Sequence, residues 1–416
     1  MRLGFAVFFV VLGSVLYLVN RHVLGWATRA FSLSPRARRA VSWVLGFALL
    51  GMLGGRLLSW VAASPLVTAL VAVSSTLELA VLISFALLLP ADLVRVGVWL
   101  RERFSKPKTD VVSVVSGDST ESAAADLEQV PRRAFLTQAA AGSAFLIGGG
   151  SALYGALAGR QDYALEEVPI RLPGLSRALD GFSIVQLSDL HIGQFTGRSE
   201  LAAAEALVLK ARPDLIVLTG DLLDNDPKLA PELGAFVRRL APLARHGVIA
   251  IPGNHDFFAG IDPVVRAVEG GGGTMLRNRG SVIGDARAGF TLLGVDDVWA
   301  RRQGGGPNLE RTLATLPRLG GKVAPALDHA RVLLCHNPSY FAEAAGHVQL
   351  QLSGHTHGGQ VNLLVRPADL LLPGGWVAGR YTRAGSDLYV NRGFGTVGPP
   401  ARLGSPPEVT KIVLTV

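Results

Sequence analysis

The chain has 416 residues, with 40 Lys and Arg against 32 Asp and Glu, and one cysteine. That length allows two or three domains, and the single Cys335 excludes an intramolecular disulfide and a cysteine-based zinc site, so any metal must be held by nitrogen and oxygen ligands. The formal charge of +8 is uneven: residues 1–159 hold 14 basic and 8 acidic side chains and residues 160–416 hold 26 and 24, so the excess accompanies the hydrophobic runs and speaks for membrane topology, with no nucleic-acid partner expected.

The first apolar run, Phe5–Val19, is of marginal spanning length with its neighbours; a secretory signal peptide is the rival reading, although no small-residue cleavage site follows. Val41–Ala63 and Pro65–Pro90 are longer runs carrying Arg56 and Glu78, which are expected to snorkel or to pair with one another. Arg21, Arg29, Arg36, Arg38 and Arg39 lie between the first two runs, and Arg95, Arg101, Arg103, Lys106 and Lys108 follow the third. Both clusters are then cytoplasmic, and residues 1–104 read as a membrane domain of about three helices.

Residues 105–130 are polar and Ser-rich, a linker by composition. In residues 131–159, Arg132 and Arg133 precede Phe135, Leu136 and an Ala/Gly-rich apolar run. This resembles a twin-arginine export signal and equally fits a fourth spanning helix with basic cytoplasmic residues. Either reading sends residues 160–416 out of the cytoplasm, giving a multi-pass protein of the cytoplasmic membrane with its globular domain outside. Ala156-Leu157-Ala158 reads as a cleavage site, so release from the membrane stays open.

From Asp162 onward, short Val/Ile/Leu runs each end in a polar cluster: FSIVQL before SDLHIG, DLIVL before TGDLLD, GVIAI before PGNHDF, ARVLL before CHNP, and VQLQL before SGHTHGGQ. Such runs predict buried strands, and Ser199–Ala211 and Pro231–Leu243 read as helices between them. The clusters therefore sit at the carboxyl ends of strands, where open α/β sheets keep their sites. Together they hold Asp189, His191, Asp221, Asn254, His255, His336, His355 and His357. One such cluster could be a turn or a cap; five successive ones supply carboxylate, imidazole and amide groups suited to divalent Mn, Fe or Zn.

The order D-x-H, G-D, G-N-H-D, a later H and G-H-x-H, over Phe182–Gln360, resembles the calcineurin-like metallophosphoesterase family. The tail NRGFGTVGPPARLGSPPE, Asn391–Glu408, is also similar to a bacterial branch of membrane-anchored or exported phosphohydrolases that includes UDP-2,3-diacylglucosamine pyrophosphatases of lipid A biosynthesis. The resemblance implies a four-layer α/β/β/α sandwich in residues 160–416 and two divalent metal ions. It assigns one ion to Asp189, His191, Asp221 and His357 and the other to Asp221, Asn254, His336 and His355, with Asp221 as the bridge. The implied reaction is in-line attack on phosphorus by a hydroxide activated by both metals. His255 is the implied proton donor to the leaving oxygen, oriented by Asp256, or else a purely electrostatic group. Gly358 and Gly359 are expected to leave room for a substrate phosphate, and Arg392 and Arg402 to clamp phosphate or to form ion pairs.

The leading expectation is thus a membrane-associated phosphohydrolase whose substrate is a phosphoester or a lipid-linked phosphate. A lipid A pathway pyrophosphatase on the cytoplasmic face is the alternative, in conflict with the charge-derived topology. A catalytically inactive membrane sensor or scaffold is the alternative from another class. Asp224 and Asp226 are read as solvated loop residues, and Cys335 as a buried strand residue. His246, His329 and His347 are read as surface or capping groups, and Arg301 and Arg302 as part of a surface loop.

Overall fold

A computed structural model describes residues 2–59, 64–104, 132–285, 288–316, 318–319, 322–323 and 330–416. The expected linker at 105–130, Lys106, Lys108 and His329 lie outside the described residues. The chain divides into two compact units, Met1–Leu58 with Ala69–Leu153 and Ser59–Thr68 with Tyr154–Val416.

The first unit is built from α1 (Arg2–Ala30), α2 (Pro35–Ser59), α3 (Pro65–Phe104) and most of α4 (Arg132–Leu157). Each of the four contains a stretch long and apolar enough to cross a membrane. α1 continues through Arg21 and Arg29, so the connection expected over residues 21–40 shrinks to Phe31–Ser34. Pro35 stands at the first helical position of α2, where its missing N–H costs nothing, and Ser34 Oγ accepts from Ala37 N at 3.2 Å. α3, 40 residues long in all, runs on past Pro90, because proline removes one hydrogen bond from a segment otherwise rich in good helix formers. Glu78, expected to snorkel or to pair with Arg56, accepts from Asn20 Nδ2 of α1 at 2.7 Å.

The second unit has two six-stranded mixed sheets. The first is ordered β1-β14-β2-β3-β4-β5, from β1 (Ala164–Arg171), β2 (Ser183–Leu187), β3 (Leu215–Thr219), β4 (Val248–Ile251), β5 (Thr274–Met275) and β14 (Glu408–Thr415). The second is ordered β12-β13-β11-β10-β7-β6, from β6 (Arg279–Gly284), β7 (Gly289–Gly294), β10 (Arg331–Leu334), β11 (Leu350–Ser353), β12 (Gly379–Arg383) and β13 (Ser386–Val390). A two-stranded ribbon, β8 (Arg318–Leu319) with β9 (Lys322–Val323), stands apart. β2 to β5 run parallel, as do β7, β10, β11 and β13.

Period-2 alternation sorts each strand between two layers. Ile184, Leu215, Val217 and Ile251 meet Leu292, Val332, Leu334 and Leu352 between the sheets. Val185, Leu187, Ile216 and Leu218 face outward to α5 (Arg198–Ala211), α6 (Ala230–Leu240) and α8 (Ile261–Gly270). On the far face of the second sheet, Leu293, Leu333 and Cys335 pack against Tyr340 and Ala344. The layers are α/β/β/α, and strands covered on both faces read as unbroken apolar runs for that reason. The helix expected at Pro231–Leu243 ends at Leu240 and tightens into a single 3-10 turn over Ala241–Leu243.

Candidate metal centre

The polar clusters follow the carboxyl ends of five parallel strands. Asp189 and His191 follow β2, Asp221 follows β3, Asn254 and His255 open α7 (Asn254–Ala259) after β4, His336 follows β10, and His355 and His357 follow β11. Asp189, His191, Asp221, His355 and His357 all have positive φ, between 46° and 73°. Side chains other than glycine rarely adopt this region, and such strain persists only where the surroundings fix it. Here the loops fix one another. Asp189 N donates to Gly220 O at 3.0 Å, His191 N to Asp221 O at 2.9 Å, and Gly354 N to His336 O at 3.0 Å. His355 N donates to the Asp189 carboxylate at 3.0 Å, and His255 N to Asp221 Oδ1 at 2.8 Å. A side chain at Gly253 would overlap the Asp221 carboxylate, and one at Gly354 would overlap Ser188 and Asp189.

This backbone brings ring nitrogens and carboxylate oxygens together in two adjoining groups. In the first, His357 Nε2 lies 3.1 Å from His191 Nε2 and 3.4 Å from Asp189 Oδ1. In the second, His336 Nε2 lies 3.2 Å from Asp221 Oδ2 and 3.3 Å from His355 Nδ1. Asp221 Oδ2 is also 3.6 Å from His191 Nε2, so this carboxylate stands between the groups. Asn254 Oδ1 is buried and has no hydrogen-bond partner. An orphaned amide oxygen beside crowded imidazoles and carboxylates is the chemistry of a divalent-cation site, because a cation satisfies several acceptors at once.

Electrostatics agree with that donor set. Burial opposes ionisation of Asp221, yet the facing His336, with His255 and His191, holds its carboxyl well below the usual range. Burial, followed by neighbouring cationic groups, pushes His355 and His357 down toward the neutral form that can ligate. His336 is drawn the other way: burial disfavours its charge, but Asp221 raises it. Its Nδ1 donates to Thr219 O at 2.8 Å, which directs Nε2 at Asp221.

Residues 182–359 match the family of calcineurin-like phosphoesterases. An uncharacterized metallophosphoesterase of Bacillus subtilis (strain 168), YkuE, is 31% identical over 303 residues, covering 69% of this chain and 99% of that protein. The chain belongs to the calcineurin-like phosphoesterase family. The phosphodiesterase YaeI of Escherichia coli (strain K12) is 34% identical over 56% of this chain and 82% of its own. A transmembrane protein with metallophosphoesterase domain from Danio rerio is 30% identical over 63% of this chain, which spans 60% of that longer protein. The chain is accordingly a hydrolase of phosphoric esters; its family uses divalent metals, and the described residues offer groups that could hold them.

Several neighbouring residues depart from expectation. Asp224 is a loop residue 38% exposed at its side chain that also serves the site: its Oδ1 lies 3.3 Å from His255 Nδ1 and 3.6 Å from His191 Nδ1, and its carbonyl accepts from His255 Nδ1 at 2.8 Å. Although burial opposes it, these histidines hold its carboxyl well below the ordinary value. Asp256 does not orient His255. It is buried and accepts from Gly253 N at 2.8 Å, Leu222 N at 3.0 Å and Leu223 N at 3.1 Å, tying two site loops together. Burial and the nearby Asp221 charge push its carboxyl up to about 7.

A side chain at Gly358 would meet Ser405 and Arg392, and one at Gly359 would meet Asn362 and Arg366. Arg402 is wholly buried, donates to the carbonyls of Arg392 (2.7 Å) and Gly393 (3.0 Å) and reaches His357 Nδ1 at 3.2 Å. It is a strut behind a candidate ligand. Arg392 pairs with Glu408 at 2.6 Å and Glu166 at 2.5 Å. Arg301 pairs with Glu343 at 2.7 Å from a 3-10 turn over Val298–Gln303. A carboxylate three residues after Asp221 was the available signal for Asp224. Nothing in one sequence distinguishes it from Asp226, which caps Lys228 N.

Proposed function

We propose that this chain is a membrane-anchored phosphohydrolase using two divalent ions, one held by Asp189, His191, Asp221 and His357 and the other by Asp221, Asn254, His336 and His355. The carrying observation is the pair of adjoining donor groups with Asp221 between His191 and His336, while Asn254 Oδ1 lacks a partner. When bound, two such ions supply Lewis acidity toward phosphoryl oxygens and activate water as the nucleophile.

The chain's own residues do the rest. Asp221 fixes the spacing of the two groups, and the interlocked strand-end loops hold the donors without reorganisation. His255 is 17% exposed at its side chain, whereas His191, His336 and His357 are nearly closed off. Its Nδ1 is anchored on Asp224, which leaves Nε2 to give a proton to the leaving oxygen. Asp224 positions that ring and stabilises its charged form. Burial disfavours that form, but the Asp224 hydrogen bond and the charges of Asp221 and Asp224 raise His255 to about 9.

Residues 160–416 are then the catalytic domain and residues 1–104 its membrane domain, with the domain outside the cytoplasm on the reading of the arginine clusters. The unbroken helix from Arg132 to Leu157 supports a fourth spanning segment over a cleaved export signal. So does the hydrogen bond from Arg402 N to Gly155 O, at 3.1 Å, which cleavage after Ala158 would remove from the catalytic unit. The UDP-2,3-diacylglucosamine pyrophosphatase reading needs a cytoplasmic domain.

The test is metal content by plasma mass spectrometry alongside hydrolysis of bis-p-nitrophenyl phosphate, before and after chelation. Two ions per chain and activity restored by Mn, Fe or Zn are expected. Full activity without bound metal would refute the proposal, and no turnover by a fully loaded chain would favour the scaffold reading. A reporter fused after Val416 and active only outside the cytoplasm tests the topology; a silent, intact fusion would favour the lipid A enzyme.

A further inference from the structure

Large apolar side chains on the surface of the second unit are concentrated in one segment. Leu364 is 93% exposed, Val365 72%, Leu370 90% and Leu371 78%. Elsewhere in this unit such exposure is scattered singly, as at Leu209 on α5, and single exposed residues need no explanation. Four within eight residues, the last two on the single-turn helix Ala368–Leu371, form a patch that a water-facing loop would not keep.

The connections of this patch indicate what covers it. At its base, Asn362 N donates to Leu403 O at 2.8 Å and Leu403 N to Gln360 O at 2.9 Å. The adjoining Arg402 N donates to Gly155 O in the last turns of α4. Tyr154 and Leu157, which end that apolar helix inside the same unit, are themselves 55% and 67% exposed. The exit of a membrane-length helix and the base of the apolar loop are therefore joined through one strip of backbone. The flanks carry interfacial residues: Arg366 beside Asp369, and Arg383 over the Trp376 ring at 5.9 Å. An apolar tip with aromatic and cationic shoulders is the composition of a segment lying in the headgroup layer.

We infer that residues 363–371 insert into the bilayer that holds the chain's own helices, and that the phosphoester this enzyme hydrolyses is presented from that bilayer. The substrate half rests on the phosphoesterase reading above. A cavity of about 520 Å³ beside the patch is lined by Leu363, Leu364 and Val365, by Arg366 and Arg392, by the carboxylates Glu166 and Glu408 that pair with Arg392, and by Gly358, which follows His357. A lining that joins apolar side chains to a cationic edge at Arg366, itself beside Asp369, suits a lipid phosphoester headgroup.

The test uses the full chain in proteoliposomes of dioleoyl phosphatidylcholine and phosphatidylglycerol. Leu364→Cys, Leu370→Cys and, for comparison, Leu209→Cys are labelled with an environment-sensitive fluorophore; Cys335 is buried and stays unlabelled. Brominated acyl chains are expected to quench positions 364 and 370 by more than about half and to leave position 209 unchanged, as for groups ~5–10 Å into the interface. Equal, weak quenching at all three positions overturns insertion, as does quenching that follows protein density instead of lipid bromination. The double change Leu370→Asp, Leu371→Asp is expected to slow hydrolysis of a vesicle-borne phosphodiester lipid about tenfold or more and to spare bis-p-nitrophenyl phosphate. Equal rates on the lipid overturn delivery from the bilayer. Failure of the unaltered chain on both substrates strikes the phosphoesterase reading alone and leaves the quenching result standing.

Discussion

Two clusters built from histidine and aspartate, one in each unit of the described residues, are organised in opposite ways. In the first unit, His22 Nε2 meets Asp92 Oδ2 at 2.9 Å and Trp26 Nε1 donates to Asp92 Oδ1 at 3.0 Å. Donors there face acceptors, and α1 is pinned to α3. In the second unit, His191 Nε2 faces His357 Nε2 at 3.1 Å, His355 Nδ1 faces His336 Nε2 at 3.3 Å, and Asn254 Oδ1 faces no donor. Residue types alone therefore do not mark a ligand site. What marks it is several imidazole nitrogens turned on one another and on carboxylates in one buried space, an arrangement that a cation satisfies at once.

The comparison breaks most decisively at Asp221, the carboxylate that lies between His191 and His336. Asp221→Asn is expected to lower bound metal and to reduce turnover of bis-p-nitrophenyl phosphate by more than about 100-fold, beyond the ~10–100-fold typical of groups that only support a ligand. Plasma mass spectrometry and steady-state kinetics on the same preparation check this. Unchanged metal content would remove Asp221 from the ligand set. His255→Ala comes next: metal is retained, while turnover falls about 10²–10⁴-fold, the range of a lost proton donor, and falls further on poor leaving groups. Parallel loss of metal would sink that role.

Asp224→Asn sharpens the same point with a smaller effect, about 10–100-fold on turnover with metal retained. Its distinguishing readout is pH dependence in the metal-free protein. Set against burial, the Asp224 hydrogen bond helps raise His255 from 6.5 to about 9. The folded value lies above the unfolded one, so the stabilising contribution is complete below pH 6.5 and is lost as pH rises through about 9. Thermal denaturation should show the advantage of the unaltered metal-free chain over Asp224→Asn shrinking across that window. A constant difference would mean that Asp224 does not act through His255.

Much of this was legible in the sequence because strand-end loops combine two local signals. Apolar runs such as DLIVL and VQLQL announce strands covered on both faces, and the clusters after them announce what the strand ends carry. What could not be read depends on distance in space. Asp224 and Asp256 are both acidic residues near a candidate ligand, and only the fold shows the first turned to His255 and the second to backbone amides. Arg402 reads as a phosphate clamp or an ion-pair partner because arginine in a glycine-rich tail is usually exposed; here it is enclosed by carbonyls. The positive φ of five site residues leaves no trace in residue type, since aspartate and histidine also occur in ordinary turns.

The smallest expected effect tests the other side of the comparison. Asp92→Asn keeps an oxygen to accept from Trp26 and removes the charge facing His22. If this cluster only pins two helices, the variant loses about 1 kcal/mol of stability in the first unit, the net worth of a typical hydrogen bond. Metal content and hydrolysis of the soluble diester should stay within about twofold, because the proposed ligands lie at the strand ends and not in a cluster whose donors already face acceptors. Thermal denaturation and the diester assay on one preparation separate the two effects. A tenfold fall in turnover at unchanged stability would show that completed pairing does not identify a structural cluster, and the contrast between the two regions would lose its predictive use.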